Sequence, residues 1–237
     1  MNELLTGLMM LVLYFIIMAS MAFILRKLIQ IPDELYRKLL HCILLGSLLI
    51  WTYAFNTWYL SVLSAIGFAV ILYPVLIVAG RIKTISQFLI ERKSGEFKRS
   101  LLVAFFMYGL ITTVCWGWLG DKLLGLCSIY AWGFGDAAAA LVGKRFGKHG
   151  IQGKHIEGRK SLEGTLAMFS VSFVCVLLLL HYRGGLEWFA YLTIATMTAS
   201  VSAIVELYSL DGMDTITCPV AAMVILLTMV NWMGGGI

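Results

Sequence analysis

An all-α bundle of about eight membrane-spanning helices is the fold class this sequence predicts. Three observations carry it. Hydrophobic residues make up 60% of the 237 and charged residues 13%, too little polar surface to cover a soluble globule. The mean hydropathy is +0.90, and the apolar residues fall in runs close to the roughly 20 residues that a helix needs to cross the hydrocarbon core. All 18 Lys and Arg except Lys122 and Arg183 crowd into three connections, the bias expected of a polytopic chain.

Each run has its own justification. The first, residues 4–25, follows Glu3 rather than a basic region and lacks a small-x-small cleavage site, so it reads as a span and not as a signal peptide. Runs 39–55 and 57–79 are separated only at Asn56. Residues 80–100 form the longest polar stretch, expected to include an amphipathic interfacial helix around Ile82–Ile90. Runs 101–120, 123–143, 165–182, 187–204 and 215–233 complete the set within one integral domain, 1–237. The basic connections then share one face, which the positive-inside rule makes cytoplasmic, with both termini outside. The expected location is a prokaryotic cytoplasmic membrane. The formal charge of +5 therefore serves topology and anionic lipid head groups, not nucleic acid.

The five cysteines, Cys42, Cys115, Cys127, Cys175 and Cys218, show no CxxC or CxxxH spacing and are expected to be free thiols packed as small hydrophobes. Four scattered histidines offer no metal knuckle. Trp51, Trp58, Trp118 and Trp188 lie near span ends and read as interfacial anchors.

Chemistry concentrates in residues 136–164. Asp136 lies inside an apolar run, where an ionised carboxylate costs roughly 2.5–3.5 kcal/mol on insertion scales and therefore points to a functional cavity. Asp136, Ala140, Gly143 and Gly147 share one helical face. A glycine-spaced packing seam would explain that face. It would not explain the cations that follow, Lys144, Arg145, Lys148, Lys154, Arg159 and Lys160, nor Ser161-Leu-Glu163-Gly164, where Ser161 could cap the next helix and free amides could meet a phosphate.

Two further constellations are expected on the same face. Glu206, Asp211 and Asp214 share a loop without Lys or Arg, and such oxygen ligands suit Mg²⁺ bridged to phosphates. Lys38 and His41 stand at i and i+3 in Arg37-Lys38-Leu-Leu-His41, with Arg37 read as a snorkelling anchor. His41 could orient a phosphate or a lipid hydroxyl, or serve as a hydrogen-bonded structural histidine.

Taken together, Asp136-x-x-Ala139-x-x-x-Gly143-x-x-x-Gly147, Arg159-Lys160-Ser-Leu-Glu163-Gly164, the Glu206–Pro219 stretch and Arg37-Lys38-x-x-His41 resemble the polyprenol kinase family of dolichol, phytol and CTP-dependent diacylglycerol kinases. The resemblance covers about 35–220. It implies a CTP-binding segment at Asp136, Gly143, Gly147, Lys160, Glu163 and Gly164. The family's acidic stretch usually reads Asp-Asn-x-x-x-Pro, whereas this chain has Asp214-Thr-Ile-Thr-Cys-Pro219, and the spacer from Gly147 to Lys160 is longer than in dolichol kinases.

The expected activity is Mg²⁺-dependent transfer of the γ-phosphoryl group of CTP to a polyprenol-like lipid alcohol or diacylglycerol. Catalysis is expected from Asp136, Lys160 and Glu163, nucleotide binding from Gly143, Lys144, Arg145, Gly147, Arg159, Gly164, Lys38 and His41, and metal binding from Asp136, Glu206, Asp211 and Asp214. Two alternatives share parts of this chemistry: a phosphatidate cytidylyltransferase, whose long signature is missing, and a small transporter with Asp136 as coupling carboxylate. No Walker-type or protein-kinase signature occurs.

Overall fold

The structure is a computed structural model that describes residues 3–29, 31–79, 81, 96–153, 156, 160–209 and 212–236. Its helices are α1 (Glu3–Leu28), α2 (Asp33–Tyr53), α3 (Trp58–Ala79), α4 (Glu96–Thr112), α5 (Lys122–Phe146), α6 (Leu162–Arg183), α7 (Trp188–Tyr208) and α8 (Asp214–Trp232). A π-helical stretch, Thr113–Trp118, extends α4, and eight stretches are long and apolar enough to cross a membrane. The all-α expectation holds.

The differences are local and have physical causes. Helix α2 begins at Asp33 rather than 39: Asp33 and Glu34 occupy its first turn, where acids complement the helix dipole, and a charged opening is invisible to an apolar-run criterion. The π-helical stretch, with Leu119 N donating to Val114 O at 3.2 Å, leaves no hydropathy signal. The amphipathic helix expected at Ile82–Ile90 lies outside the described residues.

The chain divides into two compact units, Met1–Leu110 and Ile111–Ile237. In the first, Tyr14 donates to the Ile43 carbonyl at 2.8 Å, tying α1 to α2. Trp51 is 1% exposed and is not the interfacial anchor expected from its position. Phe55, Phe68, Phe105 and Tyr108 surround its ring at centroid distances of 6.0 to 6.3 Å, so aromatic packing outcompetes the interface for this indole. Trp118 and Trp188 are 75% and 61% exposed, as an anchor requires.

The second unit is a four-helix ring: α5 packs on α6 and α8, and α7 on α6 and α8. Its centre fully buries Leu124, Met168, Ile194, Ala199 and Leu226. Ser172 on α6 donates to the Ala131 carbonyl of α5 at 2.5 Å. At one end Asp121 caps α5 by accepting from Leu123 N and Leu124 N at 3.0 and 3.2 Å. Arg183 joins that cap to the chain's last residues, donating to Asp121 Oδ2 at 2.5 Å and to the Gly235 and Gly236 carbonyls at 3.0 and 2.7 Å. The opposite end carries the motif loop. None of the five cysteines forms a disulfide, and Cys115, Cys127 and Cys218 are buried.

Candidate active site

Four helix ends and a two-stranded ribbon assemble the motif end of the second unit. Helix α5 ends at Phe146, after Lys144 and Arg145 in its last turn. The chain then forms β1 (Gly150–Ile151), which pairs antiparallel with β2 (Lys160–Ser161), Gly150 opposite Ser161 and Ile151 opposite Lys160. Ser161 caps α6 as expected, its Oγ accepting from Gly164 N at 3.2 Å. This ribbon was not foreseen, because glycine-rich connections carry no alternating pattern.

The ribbon fixes where Lys160 goes. Its ammonium donates to the Glu206 carbonyl at 2.8 Å and also to Glu206 Oε1. Glu206 lies in the last turn of α7 and is 7% exposed. A cation at a helix C-terminus satisfies a carbonyl and the helix dipole together. Asp136 on α5 and Asp214 at the start of α8 lie close enough to act electrostatically on Glu206, and all three carboxylates act on the Cys218 thiol. Lys160 and Glu206, 46 residues apart, therefore pair where Asp136 and Asp214 also shape the electrostatics.

Other expected residues fall elsewhere. Glu163 turns to the ribbon: His149 donates its main-chain N–H to Oε1 at 3.2 Å, and the His149 Nδ1 lies 2.7 Å from the same oxygen. His149 was not singled out in the sequence; once Gly150 is known to face Ser161, its place beside Glu163 follows from the antiparallel register. The three glycines gather around Ser161. A Cβ on Gly143 would lie 3.2 Å from Ser161 Oγ, one on Gly147 2.8 Å from it, and one on Gly164 3.3 Å from it. They let α5, the ribbon and α6 approach closely, as the packing seam requires. Lys144 and Arg145 are exposed. Arg159 and Asp211 lie outside the described residues. Lys38 and His41 belong to α2 of the first unit, where Lys38 is 5% exposed and Arg37 pairs with Glu34 at 2.5 Å.

The donor chemistry suits a hard cation. Carboxylate oxygens are the ligands that Mg²⁺ takes, with water and phosphate completing its shell. Among the described residues no three His, Cys, Asp or Glu converge on a ready-made metal position. One oxygen of Glu206 pairs with Lys160, and Asp136 and Asp214 carry the same carboxylate chemistry.

No family model matches the chain, and no solved structure matches it. The chain is 37% identical over 108 residues to a phytol kinase of Synechocystis sp., covering 45% of each chain. It is 35% identical over 102 residues to the dolichol kinase sec59 of Schizosaccharomyces pombe, covering 40% of this chain and 19% of that one. The matches thus span less than half the length of either relative. They are consistent with a polyprenol kinase family, the family that the motifs resemble.

Proposed function

We propose that the chain is a lipid kinase that moves the γ-phosphoryl group of CTP to the hydroxyl of a membrane lipid alcohol of the polyprenol, phytol or diacylglycerol kind. The observation that carries this reading is the pairing of Lys160 with Glu206 at the motif end of the second unit, where Asp136 and Asp214 act electrostatically on the same glutamate, in a chain whose relatives are a phytol kinase and a dolichol kinase. Phosphoryl transfer needs positioning and charge neutralisation more than covalent chemistry.

Asp136 and Asp214 would hold Mg²⁺ through their carboxylates, and the ion would neutralise charge on the phosphates. Lys160 supplies a fixed ammonium for the same phosphates, with Lys144 and Arg145 exposed nearby in sequence to meet the rest of the nucleotide. The lipid oxygen forms a bond to the γ-phosphorus as the bond to the β–γ bridging oxygen breaks. CDP departs, and the hydroxyl proton passes to a carboxylate of the cluster. The motif end faces the cytoplasm, where the nucleotide is.

Membranes holding the protein, mixed lipid alcohols and CTP labelled at either the α or the γ position test this. Label reaching lipid from the γ position alone is the expected result. Label from the α position would mark a nucleotidyltransferase, and label from neither would end the enzyme reading in favour of a carrier.

A further inference from the structure

We infer that Glu206 is a positioning residue that sets the Lys160 ammonium, and that it is not a metal ligand. This inference rests on the lipid kinase reading and assigns a role within it.

Two donations from one ammonium reach one residue, at the carbonyl and at the carboxylate of Glu206. A lone lysine on a glycine-rich loop would sweep a wide volume, because its four-carbon stem has many rotamers. Lys160 is doubly restrained. The ribbon fixes its backbone opposite Ile151, and Glu206 fixes its tip. The side chains of the pair are 22% and 9% exposed, so the geometry is set by packing and not by a fluctuating surface contact.

Glu206 is poorly placed to serve a metal as well. An ammonium on its carboxylate competes with a divalent cation for the same oxygens. Asp136 and Asp214 supply two further negative charges around it. Glu206 therefore neutralises and aims the lysine. Preorganisation of this kind lowers the cost of holding a cation ready for a developing phosphate charge.

The test is a double-mutant cycle on the full chain in detergent micelles, with Lys160→Met, Glu206→Gln and the pair. Methionine keeps the length of the stem, and glutamine keeps the shape and one acceptor, so both should fold. Two quantities are read: the dissociation constant of a fluorescent CTP analogue at saturating Mg²⁺, and the Mg²⁺ concentration that half-saturates its binding.

If Glu206 acts through Lys160, each single variant weakens nucleotide binding by about tenfold, the double variant is no weaker than Lys160→Met, and half-saturating Mg²⁺ is unchanged in Glu206→Gln. Losses that multiply in the double variant, or a rise of about tenfold in half-saturating Mg²⁺ for Glu206→Gln, would overturn the assignment and return Glu206 to the metal set. A natural chain that binds no analogue at all would instead remove the nucleotide reading, and this inference with it.

Discussion

Gly143 and Gly164 face each other where α5 meets α6: a Cβ on Gly164 would lie 3.4 Å from the Gly143 Cα and 3.0 Å from the Ala139 carbonyl oxygen. Neither neighbour is a side chain that can swing aside. Gly164→Ala should therefore destabilise the protein by about 1–3 kcal/mol through overpacking. Gly67 on α3, with nothing within 4 Å of an added Cβ, is the control, and Gly67→Ala should be neutral or slightly stabilising. Thermal unfolding in micelles checks both. Equal behaviour of the two variants would show that the α5–α6 approach is not tight.

Asp136→Asn should leave the protein inserted and folded while lowering turnover by about a hundredfold or more. The amide keeps the shape and most hydrogen bonds of the acid but not its charge, and losses of that size follow when a group acting on transition-state charge is removed. The measurement is γ-label transfer at matched, size-exclusion-verified protein. Near-natural activity would take Asp136 out of the site.

Eight helices were legible because an apolar run of spanning length has few alternatives in a bilayer, and Ser161 was legible as a cap because cap chemistry is local. The destination of Lys160 was not. Sequence places it before an N-terminal helix turn, the ordinary seat of an anion, yet its side chain reaches the C-terminal turn of α7, 46 residues away. Only the ring order of four helices brings Glu206 there. Trp51 was misread for a related reason: distance from a span end is visible in sequence, while the aromatic partners Phe105 and Tyr108 come from another helix. The roles of Gly143 and Gly147 stay divided in sequence between backbone approach to phosphate and packing, and the contact around Ser161 gives the packing role explicit distances.

Glu163 and His149 give a prediction that separates direct chemistry from loop support. The Glu163 carboxylate accepts the His149 main-chain N–H and touches its ring, closing the neck of the ribbon. If that is its contribution, Glu163→Gln retains an acceptor and activity within roughly fivefold, the scale of an exposed contact. Glu163→Ala should lose more activity than His149→Ala, since it alone abolishes the main-chain contact as well as the ring contact. Limited proteolysis of the 150–160 loop should speed up in the same order. Abolition of turnover by Glu163→Gln with an unchanged proteolysis rate would show that the carboxylate acts on substrate.

Orientation can be read from two exposed positions at opposite ends of α6. Lys148 precedes the ribbon and Glu187 precedes α7, and both are exposed. The 22 residues of Leu162–Arg183 between them rise roughly 33 Å as a helix, enough to cross the hydrocarbon core. On the proposed orientation, drawn from the loop-charge bias, the motif end is cytoplasmic. Cys42 and Cys175 are only partly buried and should first be replaced by serine or alanine, whereas the buried Cys115, Cys127 and Cys218 should stay silent to a charged maleimide. In intact cells or right-side-out vesicles, the membrane-impermeant reagent should then label Glu187→Cys directly and Lys148→Cys only after permeabilisation. Labelling of both from outside would break the span assignment of α6. Labelling of Lys148→Cys alone would invert the topology and put the proposed nucleotide site on the side without nucleotide.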